Sequence, residues 1–192
     1  VSFENNDKFT VEKVQTLKTA LLAINTTVAP LDNKLVRQAM TYAVDKKSII
    51  TIAYENCAVP ARLQASDTNC FGVDFSDATD FSYNPEKAKE LLAEAGYPNG
   101  EGLPTITYLY NEGTGHQQIG EALQQMWGQL GATVTLESQE WATFLNTRKN
   151  GDYQVARNGW LGDYNDPISF LDMWITGGGN NDAQYVNPEY DA

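Results

Sequence analysis

The side chains whose types and spacing could do chemistry are concentrated in Gly159-Trp160-Leu161-Gly162-Asp163-Tyr164-Asn165-Asp166-Pro167. Asp166 precedes Pro167, and the pair opens the apolar run Ile168-Ser169-Phe170-Leu171-Asp172-Met173-Trp174, which is a helix-start pattern. Asp163 has no capping task of this kind. A carboxylate just past a strand end, beside a glycine, suits an external cation. Trp160 is costly to leave in a loop unless its ring packs on something, and an aromatic face next to glycine suits a ligand. An ordinary solvated connection between strand and helix has a similar composition.

Enzyme chemistry finds less support. A glycosidase would use two of Asp163, Asp166 and Glu140. Capping absorbs Asp166 and Glu140 opens a helix, so no pair has the environment for separate acid and base roles. There is no nucleophile motif, and His116 is the only histidine. Gly177-Gly178-Gly179-Asn180-Asn181 follows a helix and no lysine follows it, so the phosphate-cradle pattern is not met. Cys57 and Cys70 have no nearby histidine and supply too few ligands for a metal. A non-catalytic protein without metal or cofactor is the reading.

The positioning elements follow from periodicity and punctuation. Residues 153–158 alternate as a strand, with Tyr153, Val155 and Arg157 on one side. The spacing predicts a strand over 20–25 and a helix over 31–54 capped by Asp32, with Leu35, Val36, Ala39, Met40, Ala43, Val44 and Ile50 on one stripe. An irregular Asp-rich loop fills 57–83. A helix runs over 84–96, with Asn84 as cap, Pro85 first and Gly96 past the end. A strand at 105–110, a helix at 115–130, a strand at 133–137 and a short helix at 139–150 lead back to the strand at 153–158 and the tight loop at 159–166. The order β-α-α-β-α-β-α-β-α fits an α/β domain with helices on both faces of a sheet. Ligands in such domains sit at the carboxyl ends of the strands.

The chain has 192 residues, enough for one domain with a real core. Its net charge of −12 argues against nucleic acid and anionic membrane surfaces as partners. No apolar run approaches the length of a membrane span.

Gly-Trp-x-x-Asp-Tyr-Asn-Asp-Pro at 159–167 resembles the signature of family 5 extracellular solute-binding proteins, the oligopeptide- and dipeptide-binding components of ABC importers. Further stretches agree in the family's order: Pro30-Leu31-Asp32-Asn33-Lys34-Leu35-Val36-Arg37-Gln38-Ala39, Tyr42-Ala43-Val44-Asp45-Lys46, residues 83–97, and Asn187-Pro188-Glu189-Tyr190-Asp191. The resemblance implies one lobe of a type II periplasmic-binding-protein-like fold, a mixed sheet flanked by helices. Residues 1–192 would form a single C-terminal ligand-binding lobe, with 1–10 frayed, a strand at 20–27 near the hinge, and the partner lobe absent. Arg37 and Asp45 would be structural.

The resemblance also implies a function: capture of oligopeptides for import, in partnership with an ABC permease. The protein would act as a monomer outside the cytoplasm, periplasmic or held to the cell surface by a lipid. A dipeptide, a nickel complex, haem or an oligosaccharide is the alternative ligand within the family. In that oxidising setting Cys57 and Cys70 would pair, closing their loop at a stabilisation of about 2–4 kcal/mol. The family's peptide contacts map onto Asp163 for the peptide ammonium, the main chain of Gly159, Trp160 and Leu161 for the peptide backbone, and Trp160 and Trp141 for side-chain pockets. Arg148, Arg157 and His116 match cleft positions that meet the carboxyl end or its water network. Between His116 and Trp141 the chain is one residue shorter than the oligopeptide pattern. From the residues alone, periodicity favours Trp141 as a core tryptophan, while Arg148 reads equally as a solvated helix-end charge, Arg157 as a structural ion-pair partner, and His116 as a cap or surface residue.

Overall fold

A computed structural model describes residues 6–12, 14, 16–65, 78–113 and 115–192. Among these, four strands and seven α-helices form: β1 (Lys18–Ile24), α1 (Lys34–Tyr42), α2 (Lys46–Tyr54), α3 (Pro85–Glu94), β2 (Ile106–Asn111), α4 (His116–Gly128), β3 (Val134–Gln139), α5 (Trp141–Asn150), β4 (Val155–Leu161), α6 (Ile168–Leu171) and α7 (Pro188–Asp191). The sheet order is β1-β4-β2-β3, with β1 antiparallel to β4 and the others parallel. The expected mixed sheet flanked by helices is therefore present, and the strand leading into the acidic loop lies in its interior. The expected bridge involves Cys70, which lies outside the described residues; the Cys57 thiol is exposed.

Strand alternation divides the core in two. Ile106, Tyr108, Val134 and Val155 pack with Val36 and Met40 of α1, Leu91 and Leu92 of α3, and Leu123 and Trp127 of α4. Leu109 and Ala156, one residue out of phase, pack on the other face with Ala23, Tyr153 and Phe144 of α5. Each fully buried large side chain contributes about 1.5–3 kcal/mol. The indole of Trp127 also donates to the Met40 carbonyl at 3.0 Å, satisfying its one polar atom. Gly120 lets α4 lie close on β2, because a Cβ there would sit 2.9 Å from the Tyr108 ring.

Three sequence expectations are corrected. The helix expected over 31–54 is two helices, broken after Ala43. Asp45 starts the second: its Oδ1 accepts from the amides of Lys47 and Ser48 at 3.0 and 3.3 Å, and its Oδ2 from the Ser48 hydroxyl at 2.6 Å. Asp32 does not cap the first; Asn33 does, accepting from the Leu35 amide at 2.9 Å. The Leu31 and Asp32 carbonyls are instead held by the Arg37 guanidinium, at 2.8 and 2.9 Å, so Arg37 and Asp45 are structural as expected. The residues assigned to the start of the tight loop, 159–161, are the last three of β4. Their ladder partners Lys18, Thr19 and Ala20 carry β1 further than its apolar run suggested.

Candidate functional site

The connection β2-α4-β3 moves outward from β2, whereas β3-α5-β4 crosses back over it to the other side. The helices α4 and α5 accordingly pack on opposite faces. The strand order thus reverses between the parallel neighbours β2 and β4, and the carboxyl ends of such neighbours frame a crevice where ligands bind. Here the two strands pair only at Tyr108–Val155 and Leu109–Ala156, although β4 runs on to Leu161.

Ladder geometry says which backbone groups are left open. The Gly162 amide donates to the Leu17 carbonyl at 2.8 Å and the Asn25 amide to the Gln154 carbonyl at 2.9 Å, both in the β1–β4 register. Bonding alternates along an antiparallel pair, so even-numbered residues of β4 bond β1 and the backbone groups of Arg157, Gly159 and Leu161 face the other way. The Arg157 carbonyl is taken by Arg148 Nη1 at 3.1 Å. The Gly159 amide closes on the adjacent Asn158 Oδ1 at 2.8 Å. The rest of this edge meets no strand among the described residues.

Asp163 stands immediately beyond the edge. Its amide donates to the Ser169 hydroxyl, which is buried at the start of α6, at 2.9 Å. Its carboxylate is exposed, with no hydrogen bond or ion pair among the described residues. Asp166 caps as expected, accepting from the Ile168 amide at 2.9 Å. Gly162 allows the loop to press on Phe170, whose ring would lie 2.9 Å from a Cβ at that position. Trp160, like Leu17, packs against the buried cluster of Ala65 and Phe170, while its indole nitrogen, buried, finds no acceptor among the described residues.

At the other end of the edge the half-buried Arg157 guanidinium lies 5.9 Å from the centre of the Trp141 ring and makes no hydrogen bond or ion pair among the described residues. Burial, then the neighbouring Arg148, lowers its pKa. Trp141, first in α5, is 48% exposed, which removes the core-tryptophan reading; its ring stacks on Phe144 at 5.9 Å. His116, first in α4, is half-buried, and its Nδ1 has no hydrogen-bond partner among the described residues. Burial and then Arg157 and Lys18 hold it below the usual histidine range, so the imidazole is neutral at pH 7. The Tyr108 hydroxyl is also buried, with no hydrogen-bond partner among the described residues. Burial pushes its pKa up, against a smaller opposing effect of the Arg157 charge. Arg148 is not a solvated helix-end charge: its Nε lies 2.8 Å from Asp182 Oδ2, and its guanidinium sits over Phe144 at 5.1 Å.

The structure therefore brings Arg148, Arg157, Trp141 and His116 to one side of the open edge and Asp163 to the other. Ser169, Asn158, Tyr108 and Asp182 belong to the same place and were not singled out by sequence. Ser169 and Asp182 gave no local signal, since one follows a proline in a helical run and the other ends a glycine-rich loop.

The model of the family described as "Bacterial extracellular solute-binding proteins, family 5 Middle" matches residues 2–182. The oligopeptide-binding protein OppA of Bacillus subtilis is 37% identical over 174 residues, covering 86% of this chain and 32% of that protein. Heme-binding protein A of Haemophilus influenzae is 36% identical over 183 residues, covering 92% and 33%. The crystal structure of a periplasmic oligopeptide-binding protein from Borrelia burgdorferi superposes with a TM-score of 0.81 at 36% identity, covering 91% of this chain and 35% of that one. The chain thus spans about a third of the length of the relatives it matches.

Proposed function

Because this chain belongs to the bacterial extracellular solute-binding proteins of family 5, we propose that it supplies the peptide-binding face of a non-catalytic importer component, which captures oligopeptides outside the cytoplasm and delivers them to an ABC permease. The observation that carries the reading is the edge of β4, open among the described residues, with the Asp163 carboxylate just past one end and the Arg157 guanidinium at the other, neither with a hydrogen bond or ion pair among the described residues.

A peptide offers one ammonium, one carboxylate and a row of amides between them. An extended chain adds to a free sheet edge through main-chain hydrogen bonds, which are indifferent to its side chains. With its ammonium at Asp163 and its carboxylate near Arg157, the peptide runs antiparallel to β4. Six residues separate these positions, about 20 Å in extended geometry, a span covered by roughly four to six ligand residues. Trp141 and Trp160 stand beside that path as apolar walls for ligand side chains.

Calorimetry on the full-length protein tests the reading with a free tetrapeptide, its N-acetylated form and haem. The free peptide should bind, the acetylated form far more weakly. Haem binding in preference to any peptide would replace the oligopeptide with the ligand of the haem-binding relatives.

A further inference from the structure

Resting on the peptide reading above, we propose that Arg148 is a positioning residue: locked to Asp182, it caps the Arg157 carbonyl, ends the usable edge of β4 there, and leaves the ligand carboxylate to the Arg157 guanidinium. The two arginines look equivalent in sequence, since both are cations near the same strand end. Their surroundings separate them.

Arg148 and Asp182 form an ion pair at 2.8 Å with side chains only 13% and 12% exposed. The same guanidinium donates from Nη1 to the Arg157 carbonyl and covers the Phe144 ring. Asp182 is itself held in place. Its carbonyl accepts from the Tyr153 hydroxyl, and the next carbonyl, of Ala183, accepts from the Thr26 amide at 2.9 Å. A ligand carboxylate that recruited Arg148 would have to strip it from Asp182 and leave that carboxylate buried and alone. Breaking a buried pair in this way is strongly unfavourable. Recruiting Arg157 strips nothing, because its guanidinium has no hydrogen bond or ion pair among the described residues.

The cap also sets the register. The backbone groups of Arg157, Gly159 and Leu161 face the open side, but the Arg157 carbonyl is occupied. The Gly159 amide is closed on Asn158 Oδ1, so main-chain pairing with a ligand uses the Gly159 carbonyl and the backbone of Leu161 and stops at Arg157, where the ligand's chain should end. Arg148 acts on the ligand through that carbonyl and touches none of its atoms.

The test uses the full-length protein and one tetrapeptide as free acid and as C-terminal amide. The wild type should bind the acid about ten- to a hundredfold more tightly. Arg157→Gln should bring that ratio close to one. Arg148→Gln should weaken acid and amide by the same factor and keep the ratio. A crystal of the wild type with the free acid, which needs no variant to fold, should keep the Arg148–Asp182 contact. The proposal is overturned if Arg148→Gln erases the ratio while Arg157→Gln retains it, if Arg148 moves from Asp182 to the carboxylate in the crystal, or if the wild type binds acid and amide equally. A wild type that binds neither form overturns the peptide reading itself, and this proposal with it.

Discussion

In the loop after β4, the Asp166 carboxylate has a partner in its own helix and the Asp163 carboxylate has none among the described residues. The difference decides where a ligand charge should go. The main chain of Asp163 is fixed by the Ser169 hydroxyl, so the carboxylate is presented from a held position. In the closed full-length protein, Asp163→Asn keeps the shape and removes the charge. Truncating one partner of a buried, hydrogen-bonded charge pair costs about 2–5 kcal/mol, or roughly 30- to 5,000-fold in affinity. The acetylated peptide, which lacks the ammonium, should lose little further in the variant. Calorimetry of both ligands on both proteins measures this. An unchanged affinity of the free peptide for Asp163→Asn would sink the ammonium role while leaving the edge of β4 available. Folding should be indifferent, since an exposed loop carboxylate contributes little to stability.

At the scale of elements, the break between α1 and α2 shows what local pattern conceals. Ala43 and Val44 continue the apolar stripe, so periodicity alone runs straight through them. The stop is chemical: Asp45 folds its carboxylate over the Lys47 and Ser48 amides and the Ser48 hydroxyl. Asp45→Ala should therefore destabilise the chain by about 0.5–2 kcal/mol at pH 7, by urea unfolding. The hydrogen bond from Ser48, chiefly, holds the Asp45 pKa below its ordinary value, against a smaller opposing effect of burial. A depressed carboxylate stabilises the fold above its unfolded pKa of about 3.9 and loses that contribution as pH falls through the folded value. The gap between wild type and variant should thus shrink below about pH 4; a gap that persists at pH 2 would contradict the capping account. Other elements were legible because their ends are marked. Asn84, Pro85 and Gly96 bracket α3, and Glu140 opens α5 by accepting from the Ala142 and Thr143 amides. The extent of β4 was not legible, since it depends on where β1 begins. Nor was the commitment of Arg148, since Asp182 lies in a distant loop with no pattern of its own. Type and position named side chains that the structure gathers along this edge; only packing separates Arg148, paired with Asp182, from Arg157, which makes no hydrogen bond or ion pair among the described residues.

For the molecule as a whole, the groups proposed to face the ligand lie on an open surface. Trp141 is half exposed, Asp163 is exposed, and the chain covers about a third of its relatives' length. Enclosure changes the strength of every charge contact here. Two unit charges 4 Å apart attract by about 1 kcal/mol in bulk water and about 4 kcal/mol at the effective dielectric of a protein surface. Exposed pairs retain only about 0–1 kcal/mol. The 192-residue chain by itself should therefore bind a free tetrapeptide at least about a hundredfold more weakly than the full-length protein, by NMR titration. In that setting Asp163→Asn should cost less than about 1 kcal/mol, because the ammonium keeps its water. The net charge of −12 attracts cationic peptides over a distance that salt shortens, so raising the ionic strength should weaken the remaining binding of a basic peptide more than of a neutral one. Affinity equal to that of the full-length protein would show that one face suffices. It would also move the source of binding energy from enclosed charge pairs to the backbone edge of β4.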